Sequence, residues 1–66
     1  MKTKLTDYGM KVKIALLAKS QSQTWLEQEV TRRTGLYVDS SYMYRILTGQ
    51  RAAPKVVCAI NEILEI

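Results

Sequence analysis

Apolar residues recur at helical spacing in four stretches of the chain, and no stretch alternates as a half-buried strand requires. In the first, Tyr8, Val12, Ala15 and Leu16 form one stripe, widened by Ile14 and Leu17, with Lys11, Lys13 and Lys19 toward its flanks. Thr6-Asp7 supplies a cap, and the spacing predicts a helix from Tyr8 to Lys19. Gly9 within it is a poor helix former, weaker than alanine by about 1 kcal/mol. The polar run Ser20-Gln21-Ser22 ends the pattern. A second helix is predicted from Gln23 to Thr34, capped by Ser22 or by Thr24, which has capping-box spacing to Glu27. Leu26 and Val30 face its core side, and Trp25 lies at the edge as packing. Gly35 closes the helix, and Arg32 and Arg33 oppose the negative end of its dipole.

The third stretch is bounded by Asp39, whose carboxylate can accept from the free N–H groups of a first turn, and Gly49, suited to the left-handed position past a helix end. Between them Met43, Ile46 and Leu47 make one apolar stripe. The other face carries Ser41, Tyr44, Arg45 and Thr48, with Ser40 beside them, and no carboxylate. Tyr42 is assigned to core or rim packing. After the loop Gln50-Arg51-Ala52-Ala53, Pro54 suits the first position of a fourth helix. Val56, Val57, Ile60, Ile63 and Leu64 give that helix its apolar face, with Asn61, Glu62 and Glu65 outside. The expectation is an all-α, compact four-helix domain over residues 1–66, with no repeat, low-complexity segment or linker.

Composition narrows the chemistry. The chain of 66 residues has one cysteine and no histidine, so neither an internal disulfide nor a usual zinc site is open to it. With 47% apolar residues, stability has to come from packing. Cys58 reads as an inert, partly buried thiol, and a single free cysteine fits a reducing, cytoplasmic compartment. No apolar run is long enough to cross a bilayer, and Met1-Lys2-Thr3-Lys4 does not open a signal peptide. The net charge of +4 favours an anionic partner, nucleic acid before membrane surface. The lysines do not gather on one polar face opposite a wide apolar one, which argues against a membrane-surface helix. Without histidine, paired carboxylates or a glycine-rich phosphate loop, no catalytic constellation is present and no cofactor is expected.

Helix, short connection, helix is the outline of a helix-turn-helix unit, with Asp39–Gly49 as the recognition helix. Ser22-Gln23-Thr24-Trp25-Leu26 resembles the Thr-Gln-x-x-Leu opening of helix 2 in phage-repressor-like (Cro/C1, XRE-type) DNA-binding domains. Asp39, Met43, Tyr44, Ile46 and Gly49 match that family's spacing of cap, core residue and helix-end glycine. Gln50-Arg51 and Pro54 resemble its following loop, and Ile60, Leu64 and Ile66 its final core triplet. The chain departs from the family at the connection, since Leu26 and Asp39 are thirteen residues apart where relatives have about seven. Either the second helix or the turn is longer.

The resemblance implies a lambda-repressor-like regulator of transcription, of phage or mobile-element origin, that binds double-stranded DNA. It assigns Ser40, Ser41 and Arg45 to base edges. Arginine can bond guanine bidentately, and serine can pair with several bases. Tyr44, on the same face, can meet a thymine methyl or a phosphate. Gln23 takes the place of the family's phosphate-binding glutamine at a helix N-terminus. Thr24, Thr48, Gln50, Arg51 and Lys55 complete the expected phosphate contacts. Taken alone, Arg45 is an ordinary solvated arginine; its neighbours Ser40, Ser41 and Tyr44 make it a candidate reader. Lys2 and Lys4 form either a solvated tail or an arm along the DNA backbone. Many relatives dimerise through a fifth helix, and none follows Ile66 here. A homodimer is therefore expected on DNA rather than in free solution, through Ile63, Leu64 and Ile66. The alternative is a small helical adaptor or anti-repressor presenting Tyr37, Tyr42 and Tyr44 to a protein.

Overall fold

The computed structural model describes residues 4–66, and Lys2 lies outside the described residues. Among them are four helices and no strand: α1 (Asp7–Ala18), α2 (Gln23–Thr34), α3 (Ser40–Leu47) and α4 (Pro54–Leu64). α2 packs most extensively against α4, and α1 lies against both α3 and α4. Val12, Leu26, Val30, Met43, Leu47, Val56 and Ile60 fill the centre of the shared core. No helix among the described residues is long and apolar enough to cross a membrane.

Each of the first three helices starts on a side-chain cap. Thr6 Oγ1 accepts from Gly9 N at 3.0 Å, Ser22 Oγ from Trp25 N at 3.0 Å, and Asp39 Oδ1 from Tyr42 N at 2.8 Å. Ser22 therefore caps α2, and Thr24 is its second residue. α3 ends in a full Schellman closure, with Gly49 N donating to Ile46 O and Gln50 N to Arg45 O, and Gly49 at φ +78°. The thirteen residues from Leu26 to Asp39 divide into eight more residues of α2 and the five-residue connection 35–39. The connection is held by threonine hydroxyls. Leu36 N donates to Thr34 Oγ1 and Val38 N to Thr31 Oγ1, while Val38 itself is buried in the core.

Gly9 occupies the crossing of α1 and α3. A Cβ there would stand 2.2 Å from the backbone oxygen of Leu47, so only glycine allows this approach. Thr6 seals the same point, donating to Leu47 O from both its N and its Oγ1 at 3.1 Å. Tyr8 Oη donates to Asn61 Oδ1 at 2.8 Å and ties α1 to α4, which brings Asn61 partly inside. Burial pushes the Tyr8 phenol up from its usual 10.0 to about 12.

Four expectations need correction. Ile14 and Leu17 are 62% and 79% exposed, because helical rotation carries them to the side of α1 away from Val12 and Leu16. Thr48 belongs to the interior, its hydroxyl donating to Tyr44 O at 2.8 Å. Cys58 is exposed, since Val56, Ala59, Ile60, Ile63 and Leu64 take the inward positions of α4 around it. Ile63 and Leu64 are buried within this chain and are not free to meet a second copy.

Candidate nucleic-acid interface

α3 is short and strongly two-sided: Met43, Ile46 and Leu47 are buried, whereas Ser40, Ser41, Tyr44 and Arg45 are exposed. Its outer face and the start of α2 border an open groove of about 520 Å³, lined by Gln23, Ser40, Ser41, Tyr44, Arg45 and Gln50. The fold thus brings together all four expected base-contacting residues and two of the expected phosphate-contacting ones. None of these six side chains carries negative charge.

Arg51 sits beside the groove. Its guanidinium lies over the Tyr42 ring, 4.6 Å from the centroid, which holds the charge in place while leaving its edge exposed. Arg45 and Arg51 share a smaller cleft of about 290 Å³ with Asp39, Ser41 and Tyr42. Asp39 has one carboxylate oxygen committed to the cap of α3. Gln50 Nε2 donates to Thr48 Oγ1 at 2.8 Å, so Thr48 orients a groove residue from beneath.

Three expected contacts fall elsewhere. Thr48 is enclosed, as above. Thr24 lines a cleft on the far side of Ser40, with Glu27, Thr31, Arg32, Tyr37 and Asp39. Lys55, exposed at the second position of α4, borders an apolar depression with Leu36, Tyr42, Ala53, Pro54 and Val56. Tyr37, Tyr42 and Tyr44 line different clefts.

The sequence alone did not point to Glu27 and Lys13. Glu27 is only 7% exposed and lies behind the groove. Gln23 Nε2 donates to its Oε2 at 2.9 Å, and Ser40 Oγ donates to its Oε1 at 3.3 Å. Lys13 Nζ donates to Gln23 Oε1 at 2.6 Å. The chain Lys13–Gln23–Glu27–Ser40 links α1, α2 and α3 and fixes two groove residues in orientation. A buried carboxylate requires such partners, and both of its oxygens have one. The Gln23–Glu27 spacing of four along α2 was a legible signal. Lys13 gave none, because its meeting with Gln23 depends on how α1 packs.

With Ser40 donating inward to Glu27, its oxygen lone pairs are left for the groove. Arg45 offers paired donors, Tyr44 a half-exposed ring, and Lys13 and the first turn of α2 offer charge and free N–H groups near Gln23. The arrangement is suited to an extended anion that also presents flat, hydrogen-bonding edges. Comparisons with protein-family models, curated proteins and solved structures find no match to this chain.

Proposed function

We propose that the chain binds double-stranded DNA in a sequence-dependent way and regulates transcription, as a phage-repressor-like protein of a phage or mobile element. The observation that supports the DNA reading best is the single groove uniting Gln23, Ser40, Ser41, Tyr44, Arg45 and Gln50 without an acid. The family and its phage origin rest only on the order and spacing of the sequence motifs.

In this reading α3 enters the major groove. Arg45 donates two parallel bonds to a guanine edge, Ser40 and Ser41 meet neighbouring bases, and Tyr44 meets a thymine methyl or a phosphate. Gln23, Lys13 and the N-terminus of α2 hold one phosphate run, and Gln50 and Arg51 hold the other. Thr24 and Lys55, which line other clefts, are left out of the contact set. The reaction of the protein is binding alone, and no cofactor takes part in it.

Selection from a pool of random duplexes tests this directly, followed by titration of the selected site and a scrambled one at two salt concentrations. The expected result is an enriched site whose affinity falls steeply with salt, linearly on logarithmic axes. A pool without enrichment, or binding indifferent to salt, refutes the proposal.

A further inference from the structure

Between the 35–39 connection and the start of α4 lies an open depression of about 370 Å³, lined by Leu36, Tyr42, Ala53, Pro54, Lys55 and Val56. Its walls are almost entirely apolar. The one charge among them is the Lys55 ammonium, and no carboxylate lines it. Leu36, 42% exposed, is an apolar wall left open to an outside partner. We propose that the depression takes a bulky apolar side chain of another protein, from a short segment in which that side chain is flanked by carboxylates.

The depression is built to keep its shape. Leu36 N donates to Thr34 Oγ1 at 3.1 Å and Val38 N to Thr31 Oγ1 at 3.2 Å, which pins the connection on both sides of Tyr37. Pro54 locks its own φ on the α4 side. The Arg51 guanidinium, 4.6 Å from the Tyr42 ring centroid, steadies that ring. A preorganised socket spares an incoming side chain the cost of ordering it. An apolar anchor seated in a pocket also carries most of the energy of a protein contact.

Charge selects what flanks the anchor. Lys55 stands at the second position of α4 and Arg51 over the Tyr42 ring, so a segment lying across the depression meets two cations. The start of α4 adds to their field. Ala53 gives this helix no side-chain cap, unlike Thr6, Ser22 and Asp39 at the other three, and its positive end opens at the depression. A carboxylate placed there meets Lys55 and first-turn N–H groups together. The concave form and the single lining lysine suit a protein side chain better than a bilayer, whose surface is flat and is held by clustered cations. The depression shares no lining residue with the groove assigned to DNA, so docking here is separate from DNA binding.

Selection from a displayed library of random short peptides against the full chain tests the docking, followed by titration of an enriched peptide by fluorescence anisotropy. The expected peptides carry a leucine or an aromatic residue beside aspartate or glutamate, and bind weakly, as so small a contact does. Lys55→Glu should weaken binding at least roughly tenfold, and Lys55→Arg should retain it. Leu36→Ser should weaken it as well. Leu36 lies outside the helices and is partly exposed, so this variant keeps its fold, which circular dichroism verifies. No enrichment, enriched peptides without acids, or binding indifferent to both Lys55→Glu and Leu36→Ser overturns the proposal. A chain that binds anionic phospholipid vesicles through these two residues and takes no peptide overturns it too. Peptide binding by a chain that binds no duplex would sink the DNA reading and leave the docking standing.

Discussion

Replacing Gly9 with alanine sets two rules in opposition. Helix propensity alone makes the change favourable by about 1 kcal/mol, since the residue lies in the first turn of a regular helix. The structure predicts the opposite sign. The new Cβ would meet Leu47 O at 2.2 Å and Leu47 C at 3.1 Å, both backbone atoms that cannot rotate away. A normal carbon–oxygen contact starts near about 3.3 Å, so α1 and α3 must part by roughly 1 Å. That displacement stretches both bonds from Thr6 to Leu47 O, now 3.1 Å each, beyond useful range. Two lost bonds cost about 1–3 kcal/mol. Forced separation of packed helices costs a further 1–3 kcal/mol, roughly.

After the propensity gain the net loss is about 1–5 kcal/mol, from a total that for this length is about 3–10 kcal/mol. At roughly 4–8 °C per kcal/mol for so small a domain, the melting temperature should fall by at least about 4 °C. Thermal melts followed by far-UV circular dichroism measure it. Gly35→Ala is the control, for nothing lies within 4 Å of its Cβ and only the φ of +74° is strained. It should cost about 1–2 kcal/mol. A Gly9→Ala protein that melts at or above the parent would refute the close crossing and with it the stated position of α3.

Other outcomes follow from single contacts. Arg45→Ala should cost about 1–3 kcal/mol on the selected DNA site and much less on scrambled duplex, whereas Arg51→Ala should weaken both equally and lower the salt slope by about one unit; titrations at two salt concentrations compare them. Glu27→Gln should shift base preference at one position from adenine or cytosine toward guanine or thymine, because Ser40 no longer has to donate inward; repeating the site selection with the variant reads this. The Tyr8 phenol, raised from 10.0 to about 12, lends the fold stability that is complete below pH 10 and lost as pH rises from there through about 12. Phenylalanine at that position should remove this pH dependence, as denaturant melts across the alkaline range would show.

The fold was largely legible because its signals are local. Caps at Ser22 and Asp39, the closing glycines 35 and 49, and Pro54 opening α4 are each decided within a turn of chain. What the sequence hid depends on which surfaces meet. Periodicity does not tell which side of α1 is covered, since both sides are apolar, and so it groups the exposed Ile14 and Leu17 with the buried stripe. Gly9 is a weak point in a helix taken alone, and its reason is the close crossing of α3. Val38 sits in a connection without periodicity, and only the threonine bonds that fold it back explain its burial. The site divides in the same way. The face of α3 follows from spacing, but the inward turn of Thr48 and the placement of Lys55 on another cleft are set by tertiary geometry.

A helix of eight residues is too short to hold itself in place, and isolated helices of that length are marginal in water. The orientation of α3 is therefore set from outside at both ends. At its N-terminus Ser40 is bonded to Glu27 of α2, which is in turn coupled through Gln23 to Lys13 of α1. At its C-terminus Leu47 O takes both bonds from Thr6, and Thr48 and Gln50 close the last turn. Both anchors reach back to α1, so the packing of α1 sets the tilt at which α3 presents Ser40 and Arg45.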